Sequence, residues 1–213
     1  MIENPIDVYR AVRERIQQYK LAHAWRKSGK AGAPPPHIIK EQIIREYAKR
    51  FSTPVLIETG TYFGDTVYAM RKRFRRIISI ELDEALYRRA KTRFKNFAHV
   101  AILHGDSAEL LPTILREEKA RCLFWLDGHY SGGLTAKGQY ETPVLEELKH
   151  IKSAGDDHII LIDDARLFQG KNDYPTIESL ESFVRSQWPR NIFAVSDDII
   201  RIHPPFDESS GGV

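Results

Sequence analysis

Val55-Leu-Ile-Glu-Thr-Gly-Thr-Tyr-Phe-Gly-Asp-Thr66 is a short apolar strand that ends in a glycine turn and runs at once into an amphipathic helix. That is a nucleotide-binding corner. Gly60 takes the backbone angles of the tight turn, and Gly64, having no Cβ, lets the helix start pack against the strand and a ligand approach the main chain. The spacing narrows the ligand. A dinucleotide fingerprint, G-x-G-x-x-G, has a middle glycine that admits a pyrophosphate, but here Thr61 and Tyr62 follow Gly60 and the next glycine is Gly64. The corner suits a ligand without a pyrophosphate. Glu58, two residues before the turn, repels phosphates and attracts an ammonium group, so an amino-acid-bearing nucleoside fits best.

Outward from this corner the chain alternates strand and helix, as in a parallel sheet covered on both faces. Strands are expected at Val55 to Thr59, Arg76 to Glu81, Val100 to His104, Cys122 to Leu126 and His158 to Ile162. Helices fill the gaps at Asp65 to Arg73, Asp83 to Phe94, Ser107 to Glu118 and Glu141 to Ser153, with Asp65 and Ser107 as polar openings suited to capping. A further helix from Thr176 to Ser186 leads into a hairpin of Asn191 to Ser196 and Ile199 to His203, turning at Asp197-Asp198. The expected fold is α/β: a doubly wound, Rossmann-like, mostly parallel seven-stranded sheet with an antiparallel C-terminal hairpin.

Two amphipathic helices precede the sheet. Val8, Val12, Ile16 and Tyr19 recur at helical spacing, as do Ile39, Ile43, Tyr47 and Phe51, and Lys27-Ser-Gly-Lys-Ala-Gly-Ala-Pro-Pro-Pro36 breaks them apart. Residues 1–52 therefore form a helical appendage that covers a sheet edge, acts as a lid, or makes a homodimer contact. The sheet domain is expected at 53–205 and a disordered tail at 206–213.

With 213 residues and 42% hydrophobic composition, the chain can bury the core of one α/β domain and an appendage. The opening residues do not make a signal peptide and no apolar run reaches membrane-span length, which leads to the expectation of a cytoplasmic protein. The single Cys122 excludes an internal disulfide and a cysteine metal site; opening an apolar strand, it is expected to be a buried structural thiol. The 32 basic and 29 acidic side chains nearly balance, so charge alone does not call for nucleic acid. The densest basic run, Arg71 to Arg76, falls at a helix C-terminus, where cations meet the negative end of the dipole, and lacks an aromatic stacking platform.

In an open parallel sheet the ligand sits beyond the carboxyl ends of the strands, and the residues there are polar. Glu81 ends the second strand about twenty residues after Gly60, where a carboxylate can take both hydroxyls of a ribose. After the third strand comes His104-Gly-Asp-Ser107, in which Asp106 either accepts from an adenine amino group or caps the next helix. With these three segments the sequence resembles class I S-adenosylmethionine-dependent methyltransferases: Glu58 to Thr66 is the first motif, Ile80-Glu-Leu-Asp83 the second and His104 to Ser107 the third. The resemblance covers Val55 to about Ile202. It implies that Glu58, Gly60, Thr61, Gly64 and Thr66 lie under the methionine portion of the donor, Glu81 on its ribose, and Asp106 and Ser107 at its adenine.

Leu126-Asp-Gly-His-Tyr130 follows the fourth strand and Leu161-Ile-Asp-Asp-Ala165 the fifth, so Asp127, Asp163 and Asp164 converge at one end of the sheet. Carboxylates that close repel one another unless a cation sits among them, and hard oxygen ligands favour Mg²⁺, with Mn²⁺ second. This arrangement resembles the macrocin O-methyltransferase group, whose matching residues bind a metal. His129, two residues past Asp127, is then a general base toward a hydroxyl whose pKa the metal lowers, or a fourth ligand. Its neighbour Asp127 shares the catalytic role. The glycine-rich loop Ser131 to Gly138 is placed as a mobile cover, and Lys137 and Arg166 suit an acidic acceptor. The expected function is a metal-dependent O-methyltransferase for a small hydroxylated substrate. Its rivals are a nucleic-acid methyltransferase, a non-catalytic metal- and nucleoside-binding module, and another reaction on the same fold.

Overall fold

Strands that are buried on both faces read as unbroken apolar runs, and each expected run forms one. The computed structural model describes residues 5–29, 34–128 and 142–206, with the backbone alone at 5–12 and 14. β1 (Val55–Thr59), β2 (Arg76–Glu81), β3 (Val100–His104), β4 (Cys122–Leu126), β5 (Ile159–Ile162), β6 (Ile192–Ser196) and β7 (Ile199–His203) make one sheet in the order β3-β2-β1-β4-β5-β7-β6. Only β7 runs against its neighbours, pairing antiparallel with both β5 and β6. The two-residue turn between them is built on Asp197 and Asp198, whose positive φ angles of 53° and 59° match the right-handed twist of the flanking strands.

The helices are α1 (Pro5–Lys27), α2 (His37–Arg50), α3 (Asp65–Met70), α4 (Glu84–Phe94), α5 (Ser107–Glu117), α6 (Val144–Ala154) and α7 (Ile177–Gln187). α3 ends three residues before the expected Arg73. The chain turns at residues 71–73 so that Phe74 can enter the core. Gly64, with no side chain to offer, stands at the cap of α3 in place of Asp65, while Asp106 caps α5, one of its two expected roles, and accepts from Ala108 N at 2.9 Å. Asp83 caps α4 in the same way, accepting from Leu86 N at 2.9 Å. The expected start of α6 at Glu141 lies outside the described residues, as do residues 207–213 of the tail.

Two hydrophobic cores lie on the two faces of the sheet. On one, Ile57, Phe124 and Ile160 pack under α5, α6 and α7 through Leu111, Leu148 and Val184. On the other, Leu56, Leu123, Trp125 and Ile159 pack under α2, α3 and α4 through Ile44, Met70 and Phe94. The second helix of the appendage therefore covers a sheet face and not its edge. The reason is topological: α3 and α4 connect β1, β2 and β3 and stay over that half, so the same face of β4 and β5 needs another helix. Ile38, Ile39 and Ile44 of α2 supply it, each at 2% exposure or less. α1 packs on α2 through Ala22 and Trp25, and Arg15 reaches the buried Glu41 at 2.8 Å.

The last described residue packs on the sheet domain. Phe206, assigned to the tail, stacks on Phe51 with ring centroids 5.3 Å apart and lies 4.6 Å from His203. Cys122 is buried as expected, and burial pushes its thiol up to about 12. No helix of the described residues is long and apolar enough to cross a membrane.

Candidate active site

The sheet reverses its direction of growth between β1 and β4, and the crevice at their carboxyl ends is where an open α/β sheet binds ligands. Gly60 leaves β1 at φ +84°. A Cβ there would sit 2.4 Å from the carbonyl oxygen of Asp127, so the turn requires glycine because β4 passes directly behind it. Gly64 is glycine for a different reason from the expected one. A Cβ there would lie 2.6 Å from the ring of Phe94, so its close neighbour is α4 and not the strand.

Around this turn the expected donor residues are gathered and held. Glu81 is 6% exposed and accepts from Tyr62 N at 2.7 Å and Asp83 N at 2.9 Å; burial raises its pKa against those two amides. Thr61 Oγ1 lies 2.6 Å from Ser79 Oγ, and Ser79 in turn donates to Glu58. Glu58 is 1% exposed, with Thr66 beside it, and burial pushes its carboxyl to about 8, so at neutral pH it is mostly protonated. An ammonium drawn to it would have to restore its charge. Ser107 donates to Glu147 Oε1 at 2.6 Å, and burial lifts this second carboxyl to about 7. Asp106 serves as the helix cap, with its Oδ1 engaged by Ala108 N.

The three aspartates do converge. Asp127, Asp163 and Asp164 each offer a carboxylate oxygen, and these oxygens all lie within 4.8 Å of one another. Asp163 is fully buried and Asp164, beside it, holds a left-handed backbone at φ 56°. Burial drives the Asp127 carboxyl well above its ordinary range, and the neighbouring Asp163 adds to it. Burial likewise lifts Asp163 to about 6, against the pull of Lys40. The donor set therefore fits a hard divalent cation, since such an ion would relieve a repulsion that otherwise forces protons onto buried carboxyls.

Lys40 was not among the residues singled out in the sequence. It sits near the start of α2, bonds Asp163 and lies 3.7 Å from Asp164 Oδ1. Burial alone would lower its pKa, but attraction to Asp163 and Asp127 raises it. One helical turn earlier, His37 reaches Thr66 at 3.2 Å. The signal for Lys40 was its place on the helix, since it falls between Ile39 and Ile43 and four residues before Ile44 on the apolar side of α2. Arg166, expected at the rim, reaches Asp164 at 2.8 Å and also pairs with Asp198, so its charge is already engaged by carboxylates. His129 and the loop 131–138 with Lys137 lie outside the described residues.

No protein-family model and no curated protein matches this sequence. Solved structures match it in fold. The O-methyltransferase TomG from Streptomyces achromogenes, involved in tomaymycin synthesis and solved with SAM, shares 16% identity over 96% of this chain and 100% of its own, with a TM-score of 0.58. The Podospora anserina methyltransferase PaMTH1, solved with SAH, also shares 16%, over 96% of this chain and 97% of its own, with a TM-score of 0.56. An O-methyltransferase from Bacillus cereus, again with SAH, shares 11% over 88% and 90%, with a TM-score of 0.58. At these identities the likeness establishes the fold alone, a Rossmann-like α/β sheet, which in this chain carries the reversed β7.

Proposed function

We propose that the protein is an S-adenosylmethionine-dependent methyltransferase that moves the methyl group to a hydroxyl oxygen of a small acceptor, with a divalent cation bound by Asp127, Asp163 and Asp164. One observation carries the reading. The glycine turn of β1 touches the backbone of Asp127, so the place for a donor and the carboxylate cluster are two sides of one crevice. Bound Mg²⁺ or Mn²⁺ would supply positive charge that lowers the pKa of an acceptor hydroxyl.

The chain's own residues do the positioning. Glu81, fixed by two backbone amides, presents its remaining lone pairs to the ribose hydroxyls. The turn from Gly60 to Gly64 seats the methionine portion, and Asp106 and Ser107 mark the adenine end. A sulfonium is an activated donor, so alignment and removal of the acceptor proton account for most of the acceleration. His129 is the base we assign to that proton. We also propose that Ile16 and Tyr19, half exposed on α1, pair with a second copy of the chain; sedimentation of an Ile16→Glu variant as a monomer alongside a dimeric parent would support this, and identical behaviour would rule it out.

Transfer of a labelled methyl group from S-adenosylmethionine to a panel of sugars, phenols and hydroxy acids tests the reading, with and without a chelator. Activity that needs added Mg²⁺ or Mn²⁺ and fails in Asp163→Asn is the expected result. Failure of the purified protein to bind either S-adenosylmethionine or its demethylated product in calorimetry would remove the donor and the reading with it. A macromolecular acceptor such as nucleic acid finds less support, because the 32 basic and 29 acidic side chains nearly balance.

A further inference from the structure

We propose that Lys40 is a tethered cation that occupies the carboxylate cluster of the metal-free protein and gives way when a divalent cation binds. The inference rests on the metal reading above and adds a competitor to it.

Two features of the geometry lead there. Asp163 Oδ1 is engaged by the backbone N–H of Asp164 at 2.8 Å, which leaves Oδ2 as its open oxygen, and that oxygen is the one Lys40 holds. The ammonium also stands 3.7 Å from Asp164 Oδ1, so it lies between two of the three carboxylates a metal would need. With Asp163 fully buried and the Lys40 side chain only 17% exposed, water screens little of this interaction. A buried carboxylate cluster with no cation would be strongly unfavourable; Arg166 supplies charge at Asp164 from the rim, and Lys40 supplies it at the buried Asp163. A divalent ion at the same oxygens would meet a like charge a few ångströms away. The four-carbon arm of a lysine lets the ammonium swing out without moving the helix that carries it. Lys40 reaches its partner across 123 residues of sequence, so α2, which precedes the sheet domain, is part of the cluster's electrostatics.

The test measures Mn²⁺ binding by calorimetry and paramagnetic resonance, in the absence of donor, for the wild-type chain and for Lys40→Met and Lys40→Arg. Methionine keeps much of the length and none of the charge; arginine keeps the charge. The expected result is that Lys40→Met binds Mn²⁺ at least about tenfold more tightly than wild type while Lys40→Arg gains nothing. Its metal-free form should melt lower, and its melting point should rise further with Mn²⁺. Equal or weaker binding by Lys40→Met overturns the competition and leaves the metal reading standing. Binding by Lys40→Met alone supports the competition but removes the metal from the native enzyme. If neither chain binds Mn²⁺, both proposals fall. Should Lys40→Met not fold, amine labelling of the wild-type chain decides: Lys40 should react faster with Mn²⁺ present, and unchanged or slower labelling at saturating metal overturns the proposal.

Discussion

Gly60 and Asp127 meet backbone to backbone, so closely that a single added Cβ on the first would lie 2.4 Å from the carbonyl oxygen of the second. Gly60→Ala must therefore part β1 from β4 at their ends and also strain a φ of +84°. The strain alone costs ~1–3 kcal/mol, and the overlap adds to it. Urea unfolding should show a clear loss of stability, with S-adenosylhomocysteine binding weakened in the same variant. An unchanged midpoint would mean that the crevice is wider than this contact implies.

Glu81→Gln removes a charge from the ribose position while keeping the shape. Binding of S-adenosylhomocysteine should weaken by roughly 1.5–3 kcal/mol, about ten- to a hundredfold in Kd. Because Glu81 also accepts from Tyr62 and Asp83, the melting temperature has to be read on the same sample. Full affinity in the variant would place the nucleoside elsewhere.

Two buried carboxyls make stability depend on pH with an unusual sign. Glu58 rises from its ordinary 4.5 to about 8 and Glu147 to about 7, both through burial. The folded chain thus holds these protons more tightly than the unfolded chain. Their stabilising effect is whole below pH 4.5 and is lost as pH rises toward 7 and 8, at no more than about 1.4 kcal/mol per unit for each group. Denaturant titrations between pH 5 and 8 on Glu58→Gln and Glu147→Gln should each show a flatter decline than the parent. If the slope stays the same in both, the two carboxyls are ionised in the folded protein.

His129→Gln separates the two roles left to that residue. As a base it should lose roughly a hundredfold in turnover while keeping donor and metal affinity, and the rise of rate with pH through an imidazole pKa should vanish. As a ligand it should lose metal affinity together with rate. Full activity on a confirmed acceptor would make the histidine structural.

The strands were legible in the sequence for a simple reason: every position of β1, β4 and β5 is buried, so β4 and β5 are continuous apolar runs and β1 opens with one before Glu58 and Thr59. The hairpin was legible in Asp197-Asp198, since that pair tolerates positive φ. The convergence of Asp127 with Asp163 and Asp164 followed from strand adjacency, because β4 and β5 end side by side. The end of α3 was not legible, because basic residues 71–73 fit a helix terminus as well as they fit the turns they form. Lys40 escaped for a deeper reason. A lysine in a helix is ordinarily solvated, and its place on the apolar side of α2 gains a meaning only through the carboxylate that meets it far along the chain. Glu147 is of the same kind: it falls on the apolar side of α6 with Val144, Leu148 and Ile151, and its partner Ser107 is 40 residues away.

The stacking of Phe51 on Phe206 has a bearing on how this chain is made. The cover of α2 and its C-terminal end includes His203 of β7 against Tyr47 and Phe206 against Phe51, so this early helix completes its packing only once residues about 150 positions further along have been made. Until then Ile39, Ile43 and Ile44 face water with part of their cover still unsynthesised. A nascent chain halted near residue 190 should accordingly bind more of a hydrophobic dye than one carried past residue 206, with the excess falling on the helix that still waits for its cover.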